Sequence, residues 1–195
     1  MITVVGSRTA TFNYIDDFRR KFFHEDDPNN FYYNEMCGHK YNLEHLDDDY
    51  IGLEHYRRTF ARNGKPLSRD DVKEILKDYD IIVKGKHGPY GTETNLTVLI
   101  GCSRYKLNYY DEAKKFIDSH PELSEQAYDT THYGCNMLIA PSDKYKTMLT
   151  EEFAYITEMQ KFCKQHAMIG YFAETILTPY MIKKHNTNIY IADVV

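Results

Sequence analysis

The chain has 195 residues, of which 42% are hydrophobic, and a formal charge of -5 at pH 7. This length suits one domain with a buried core and is too short for two independent domains. The negative charge argues against a protein that binds nucleic acid over its whole surface, because neutralising phosphates requires a basic face. A local basic patch is still compatible with this charge.

The chain starts with a short apolar run at residues 2–5. This region has no basic lead, long apolar stretch or small-residue cleavage site, so we interpret it as a first strand and not as a signal peptide. The apolar runs have about 4 to 8 residues, whereas a membrane-spanning helix needs about 20. We therefore expect a cytoplasmic protein without a transmembrane segment. An acceptor on a lipid carrier would bring it to the inner membrane face.

The cysteines and tyrosines allow only general conclusions. Four cysteines are widely spaced and include no CxxC pair, so we predict buried, reduced thiols. The chain has 18 tyrosines and no tryptophan. Tyrosine suits both half-buried packing and contacts with sugars or bases, so composition does not distinguish these roles.

Apolar runs of strand length alternate with helical patterns. The predicted strands are residues 2–5, 50–53, 81–83, 136–140 and 188–192. The predicted helices are residues 12–23, 33–46, 70–77, 110–119, 144–166 and 171–184, with Ser68 and Ser142 as N-caps. Residues 85–101 are predicted to form a mobile loop. The alternation predicts a single-domain α/β protein with a mixed, mostly parallel sheet flanked by helices.

Ligands of such sheets bind at the carboxyl ends of strands, which makes the residues after each apolar run candidates. These are residues 6–8, 54–58, 84–87 and 141–143. The second segment is the most unusual, because two adjacent guanidiniums there would bind a diphosphate with forked, permanently charged donors. The alternative is that these arginines pair with surface carboxylates at residues 47–49.

Residues 50–60 have the sequence YIGLEHYRRTF. This segment resembles the hallmark YIGLxHYRRxF of a bacterial family of capsular and exopolysaccharide glycosyltransferases, catalogued as a domain of unknown function. Three further segments resemble motifs of that family in the same order. Residues 30–42 resemble its NPxYCELTxxYWxWKN helix, residues 133–139 its YxxNMFI strand and residues 170–177 its GYxAErL helix.

The resemblance implies a GT-A-like fold and an enzyme of polysaccharide or glycoconjugate biosynthesis. It implies transfer of a sugar from a nucleotide-sugar donor to a saccharide, glycolipid or other hydroxyl acceptor. The catalytic residues it suggests are His55, Arg57, Arg58 and Glu174. We also predict donor binding by Arg8 at the end of the first strand and by Glu35, Glu54, Tyr56 and Asn136, which lie in the motif segments.

Two versions of the chemistry are open. In the first, Arg57 and Arg58 bind the donor diphosphate with His55 and replace the charge that a metal would supply. In the second, Glu54 and His55 coordinate Mn²⁺ or Mg²⁺. No Asp-x-Asp motif follows a strand, since residues 47–49 precede one. Glu174 would serve on the acceptor side, either as a base or as a hydrogen-bonding anchor.

Two alternatives change the function. A transferase acting on a modified nucleic-acid base would contact phosphates through Arg62, Lys65, Arg69 and Lys73, although the net charge does not favour a nucleic-acid partner. A catalytically inactive module would bind a sugar nucleotide without turning it over. Donor binding without hydrolysis would indicate this module.

Overall fold

The computed structural model describes residues 1–6, 18–21, 35–55, 57–85, 93–102, 110–131, 133–163 and 167–195. The strands in these residues are β1 Ile2–Gly6, β2 Arg19–Lys21, β3 Tyr50–Glu54, β4 Phe60–Arg62, β5 Lys65–Pro66, β6 Ile81–Lys84, β7 Leu138–Pro141 and β8 Ile189–Val194. They pair into one sheet in the order β2-β1-β3-β7-β6-β8-β4-β5. All five predicted strands are present, with ends shifted by one or two residues.

Some helices pack on the sheet, and others pack mainly on one another. The α-helices of the described residues are α1 Met36–His45, α2 Arg69–Asp78, α3 Asn95–Cys102, α4 Tyr110–Ser119, α5 Ser124–Tyr128, α6 Ser142–Met159, α7 Ala167–Phe172 and α8 Thr178–His185. A π-helical segment, Ala173–Leu177, joins α7 to α8. No helix in the described part of the chain is long and apolar enough to cross a membrane.

The strand directions determine which loops meet. β2, β1 and β3 are parallel to one another, and β6 is parallel to β8. β7 lies between β3 and β6 and is antiparallel to both. The carboxyl ends of β3 and β6 therefore lie beside the amino end of β7. We call this side of the sheet the carboxyl edge. The predicted mixed α/β sheet flanked by helices is confirmed.

The unbroken apolar run of β6 follows from packing on both faces of the sheet. Ile81 and Val83 lie in a cluster with residues of α6 and α8, whereas Ile82 lies in a cluster with residues of α2. Successive side chains of a strand point to opposite faces, so a strand covered on both sides needs apolar residues throughout. β3 and β7 approach closely at Gly52, where a Cβ atom would lie 2.6 Å from Ile139 Cγ1.

The helix predictions succeed where local signals are strong. The capping box before α2 is present, with Asp71 N–H donating to Ser68 Oγ at 3.1 Å and Ser68 N–H donating to Asp71 Oδ2 at 2.8 Å. The prediction for α4 is confirmed at both ends. The prediction that Ser142 caps α6 is wrong. Ser142 is the first helical residue, and Pro141 precedes it without a side-chain cap.

Other predictions fail where tertiary contacts override a local pattern. The helix predicted for residues 12–23 is wrong at β2, which pairs with β1; residues 12–17 and 22–23 lie outside the described residues. The side chains of Phe18 and Arg19 are buried there. The predicted loop 85–101 is wrong at its end, because α3 begins at Asn95, whose Nδ2 donates to Thr131 O at 3.0 Å. Residues 86–92 lie outside the described residues.

Candidate active site

Two consecutive side chains at the carboxyl end of β3, those of Glu54 and His55, point in different directions. Glu54 is buried and accepts hydrogen bonds from Arg19 Nε at 2.9 Å and from the Phe60 N–H at 2.9 Å. His55 instead lies near Glu35 and Arg58. This divergence follows from the strand, in which neighbouring side chains point to opposite faces. Glu54 thus connects β3 to β2 and β4, while His55 points into the cluster described next.

His55 and Arg58 are held together by a tight turn. The Arg58 N–H donates to His55 O at 3.1 Å, and the Arg57 N–H donates to His55 Nδ1 at 3.2 Å. Since Nδ1 accepts this bond, the neutral ring carries its proton on Nε2, which lies 3.5 Å from Glu35 Oε1. Arg58 Nη1 lies 3.4 Å from His55 Nδ1 and donates to Cys135 Sγ at 3.3 Å.

Glu174 reaches the same place from the π-helical segment. Its Oε1 accepts a hydrogen bond from the Cys135 N–H at 2.7 Å. Burial raises the pKa of Glu174, against the opposing effects of this hydrogen bond and of the positive charges of Lys84 and Arg58. A π-helical turn inside a helix is rare and frequently occurs at functional sites. Glu174 therefore lies in a buried place close to two cations.

Lys84, at the end of β6, completes what we call the strand-end cluster, consisting of Glu35, His55, Arg58, Lys84, Cys135 and Glu174. Lys84 is only 3% exposed, and its Nζ donates to Gly85 O at 3.2 Å. Burial lowers the pKa of Lys84, with a further lowering contribution from Arg58. Burial also raises the pKa of Cys135 to about 11, so this thiol is protonated at neutral pH.

The turn before β7 supplies Cys135 in an unusual conformation. Cys135 has φ 66° and Asn136 has φ 51°, both in the left-handed region. Such a residue other than glycine costs of order 1–3 kcal/mol, so surrounding contacts must hold it in place. His39 Nε2 lies 2.7 Å from Asn136 O, and Thr178 Oγ1 lies 3.0 Å from Asn136 Oδ1. The turn is thus fixed from α1 and from α8.

The structure brings together several of the residues predicted from the sequence. Glu35, His55, Arg58 and Glu174 belong to the strand-end cluster, and the exposed Arg57 adjoins it. Asn136 lies behind the cluster and faces Thr178. Arg8 and Tyr56 are outside the described residues.

Some predicted positions lie elsewhere. The candidate segment 141–143 is at the opposite edge, where the Ser142 N–H donates to Asp49 O at 2.9 Å, because β7 runs antiparallel to β3. A metal shared by Glu54 and His55 does not fit, since Glu54 pairs with Arg19 and Phe60 N–H on the other face. No group of three or more metal-binding side chains occurs in the described part of the chain.

The basic interval considered for nucleic acid is partly neutralised. Arg62 Nη1 lies 3.2 Å from Glu74 Oε1 and 3.8 Å from Asp71 Oδ1. Lys65 and Lys73 are exposed. These residues lie on β4, β5 and α2 and do not belong to the strand-end cluster.

Sequence reasoning missed three residues that matter at this edge. Lys84 lies in the candidate segment 84–87, and its position directly after the apolar run of β6 is the signal that could identify it. The sequence predicts Cys135 only as a buried thiol, and its neighbour Asn136 is the available signal. The predicted helix 12–23 includes Arg19, and nothing local indicates its pairing with Glu54.

The fold is similar to that of a solved glycosyltransferase. Superposition on the apo structure of WbbM, a bifunctional glycosyltransferase, gives a TM-score of 0.75 at 13% sequence identity. The match covers 99% of this chain and 45% of that one, so the chain spans less than half the length of WbbM. No curated protein matches the sequence. The fold of this chain is therefore a glycosyltransferase-like α/β fold.

The family is shown by the sequence. Residues 25–186 match the family described as Domain of unknown function (DUF4422). This match covers more than half of the chain and includes all the described members of the strand-end cluster. The chain belongs to the DUF4422 family.

Proposed function

We propose that this protein is a glycosyltransferase that moves a sugar from a nucleotide-sugar donor to a hydroxyl group of a saccharide or glycolipid. The observation that carries the proposal is the strand-end cluster, in which Arg58, Lys84 and Glu174 meet at the carboxyl edge. In open α/β sheets this edge is where ligands bind. The glycosyltransferase-like fold supports the same reading.

Cations suit the donor side of the reaction. As the glycosidic bond breaks, its electron pair leaves with the nucleoside diphosphate, so negative charge grows on the phosphate oxygens. Arg58 is partly buried and Lys84 almost fully buried, and a charge acts more strongly there than in water. The exposed Arg57 adjoins them and adds a third cation. We assign these residues to the donor diphosphate, with His55 and Glu35 orienting Arg58 and its turn.

A carboxylate suits the acceptor side. In the proposed step, the acceptor oxygen forms a bond to the anomeric carbon while the bond from that carbon to the diphosphate breaks. Glu174 Oε1 accepts a hydrogen bond from the Cys135 N–H, and burial raises the pKa of Glu174. A raised pKa makes a carboxylate a stronger base. Glu174 either takes the hydroxyl proton as a base or accepts a hydrogen bond as an anchor for the acceptor.

A panel of nucleotide sugars tests this function directly. Thermal shift would identify the donor that binds, and hydrolysis of that donor would then be measured with and without EDTA. Binding with slow hydrolysis supports the proposal, and full activity in chelator supports diphosphate binding by Arg57, Arg58 and Lys84 without a metal. If a donor binds but no bound donor is hydrolysed or transferred, the protein is an inactive module. If no nucleotide sugar binds, the proposal is wrong.

A further inference from the structure

A buried carboxyl group lies behind the candidate site. Glu152 on α6 is fully buried, and its Oε1 lies 2.6 Å from Thr178 Oγ1. Its Oε2 has no hydrogen-bond partner among the described residues. An ionised carboxylate with an unpaired oxygen is very costly in the interior, so this group holds a proton at neutral pH. Burial raises the pKa of Glu152 to about 8, in agreement with that state.

The hydrogen-bond directions then follow along a chain of side chains. Thr178 Oγ1 lies within hydrogen-bond distance of both Glu152 Oε1 and Asn136 Oδ1, but a hydroxyl has only one proton to donate. The Asn136 carbonyl oxygen can only accept, so it takes the Thr178 proton. Glu152 must then donate its own proton to Thr178 Oγ1. The carboxyl group of Glu152 thereby fixes the orientation of the Asn136 side chain.

A second set of bonds fixes the main chain of Asn136. Asn42 Nδ2 donates to Tyr145 Oη at 2.9 Å, and Tyr145 Oη lies 2.6 Å from His39 Nδ1. With Tyr145 donating to Nδ1, His39 carries its proton on Nε2 and donates to Asn136 O at 2.7 Å. Burial lowers the pKa of His39 to about 4, so the ring is neutral. Asn136 is therefore held through its side chain and through its main chain.

We infer that Glu152 and Thr178 are positioning residues for Glu174. They hold Asn136 in its left-handed conformation, and the turn at Cys135 and Asn136 in turn aims the Cys135 N–H at the Glu174 carboxylate. Neither Glu152 nor Thr178 belongs to the strand-end cluster. The inference rests on the proposed function for its effect on catalysis, although the effect on the turn can be measured without any substrate.

Four variants test the inference through two readouts, the kinetics of transfer and the hydrogen exchange of the Cys135 amide. Thr178→Val and Glu152→Leu keep the approximate shape of each side chain and remove the hydrogen-bond donors, the Thr178 hydroxyl and the Glu152 carboxyl group. Both are expected to lower kcat on the order of 10- to 100-fold, with the KM for the donor nearly unchanged, because the carboxylate of Glu174 is misplaced. Both should also speed exchange of the Cys135 amide, which loses its fixed acceptor.

Glu152→Gln is the conservative variant, because its amide N–H can still donate to Thr178 Oγ1. It should retain the kcat of the wild type and the slow exchange of the Cys135 amide. Glu151→Gln is the matched control, since the neighbouring Glu151 pairs with Lys184 and His185 on the surface. It should leave both readouts as in the wild type. Melting temperatures of all four variants would show whether each one is folded.

The two proposals fail in different ways. If folded Thr178→Val and Glu152→Leu retain both kcat and slow Cys135 exchange, the positioning role is overturned. If the wild type has no turnover with any donor, the proposed function fails, and amide exchange alone then decides whether Glu152 holds the turn. If Glu152→Gln behaves like Glu152→Leu, the proton-donor role assigned to Glu152 is wrong.

Discussion

The main-chain N–H of Cys135 lies 2.7 Å from Glu174 Oε1, although 39 positions separate the two residues in the chain. This hydrogen bond connects the turn before β7 with the π-helical segment Ala173–Leu177. Each partner belongs to a sparsely used backbone conformation, which persists only when other contacts support it. The bond places a carboxylate within the influence of Arg58 and Lys84.

Replacing Glu174 separates its two proposed roles. If Glu174 is the base, Glu174→Gln should lower kcat for transfer by about 10²- to 10⁴-fold, because proton removal from the acceptor is lost. Binding of the donor should persist. If Glu174 is an anchor, the KM for the acceptor should rise instead. Steady-state kinetics with varied acceptor distinguish the roles, with the part-exposed Glu158→Gln as a control. Normal transfer by Glu174→Gln would remove this residue from the mechanism.

Replacing Arg58 tests the donor side. Arg58→Gln should weaken binding of the nucleotide sugar about 10- to 100-fold, since a hydrogen bond to a charged group contributes about 1.5–3 kcal/mol. Isothermal titration with the donor and with the free nucleoside diphosphate measures the effect. Both ligands should be affected alike if the guanidinium binds the diphosphate.

Arg62→Gln is a control for Arg58→Gln, because Arg62 pairs with Glu74 on the surface. Its donor affinity should equal that of the wild type. An affinity loss as large for Arg62→Gln as for Arg58→Gln would argue against a specific diphosphate site at the carboxyl edge.

Retention of DNA by the wild type that falls steeply with salt would favour the nucleic-acid alternative.

The pair formed by Arg19 and Glu54 is expected to be structural. Both side chains are almost fully buried, and Arg19 also donates to Leu67 O at 2.8 Å. Arg19→Met should lower the free energy of unfolding by about 3–5 kcal/mol, because it leaves the charge of Glu54 buried without its partner. Urea unfolding measures this change. The double variant Arg19→Met with Glu54→Leu should recover much of the stability, and a single variant as stable as the wild type would contradict the prediction.

The buried groups Glu152 and His39 predict the pH dependence of stability. The pKa of Glu152 rises from 4.5 to about 8 on folding, so its contribution is complete below the unfolded value and is lost as pH rises towards 8. The wild type should therefore lose stability relative to Glu152→Gln from about pH 5 to about pH 8. The melting temperature of Glu152→Gln minus that of the wild type should increase over this range. A constant difference over this range would show that Glu152 is not a buried, protonated group.

The contribution of His39 to stability depends on pH with the opposite sign. Its pKa falls from 6.5 to about 4 on folding, so its contribution is complete above the unfolded value and is lost as pH falls towards 4. His39→Gln should thus be least destabilising, relative to the wild type, in acid. Melting curves between about pH 4 and pH 7 measure this trend. A trend with the reverse sign would mean that the folded state binds the His39 proton.

Much of the sheet could be predicted from the sequence because its signals are local. The apolar runs of β1, β3, β6, β7 and β8 are long enough to identify each strand, and Ser68 and Asp71 mark the start of α2. β2, β4 and β5 have two or three residues each, too few to show a period. That the chain forms a single domain stays a prediction.

The amino-acid sequence by itself determined the fold class, which follows from the alternation of apolar runs and helical patterns along the chain. It also determined the cationic segment at the end of β3, which follows from the order of residues along a short stretch. Only the tertiary structure decided which of those residues meet. The reversed direction of β7 brings Cys135 and Asn136 to the carboxyl edge and takes Ser142 away from it, because strand direction depends on pairing between distant segments. Burial, which also depends on distant contacts, raises the pKa of Glu152 and of Glu174.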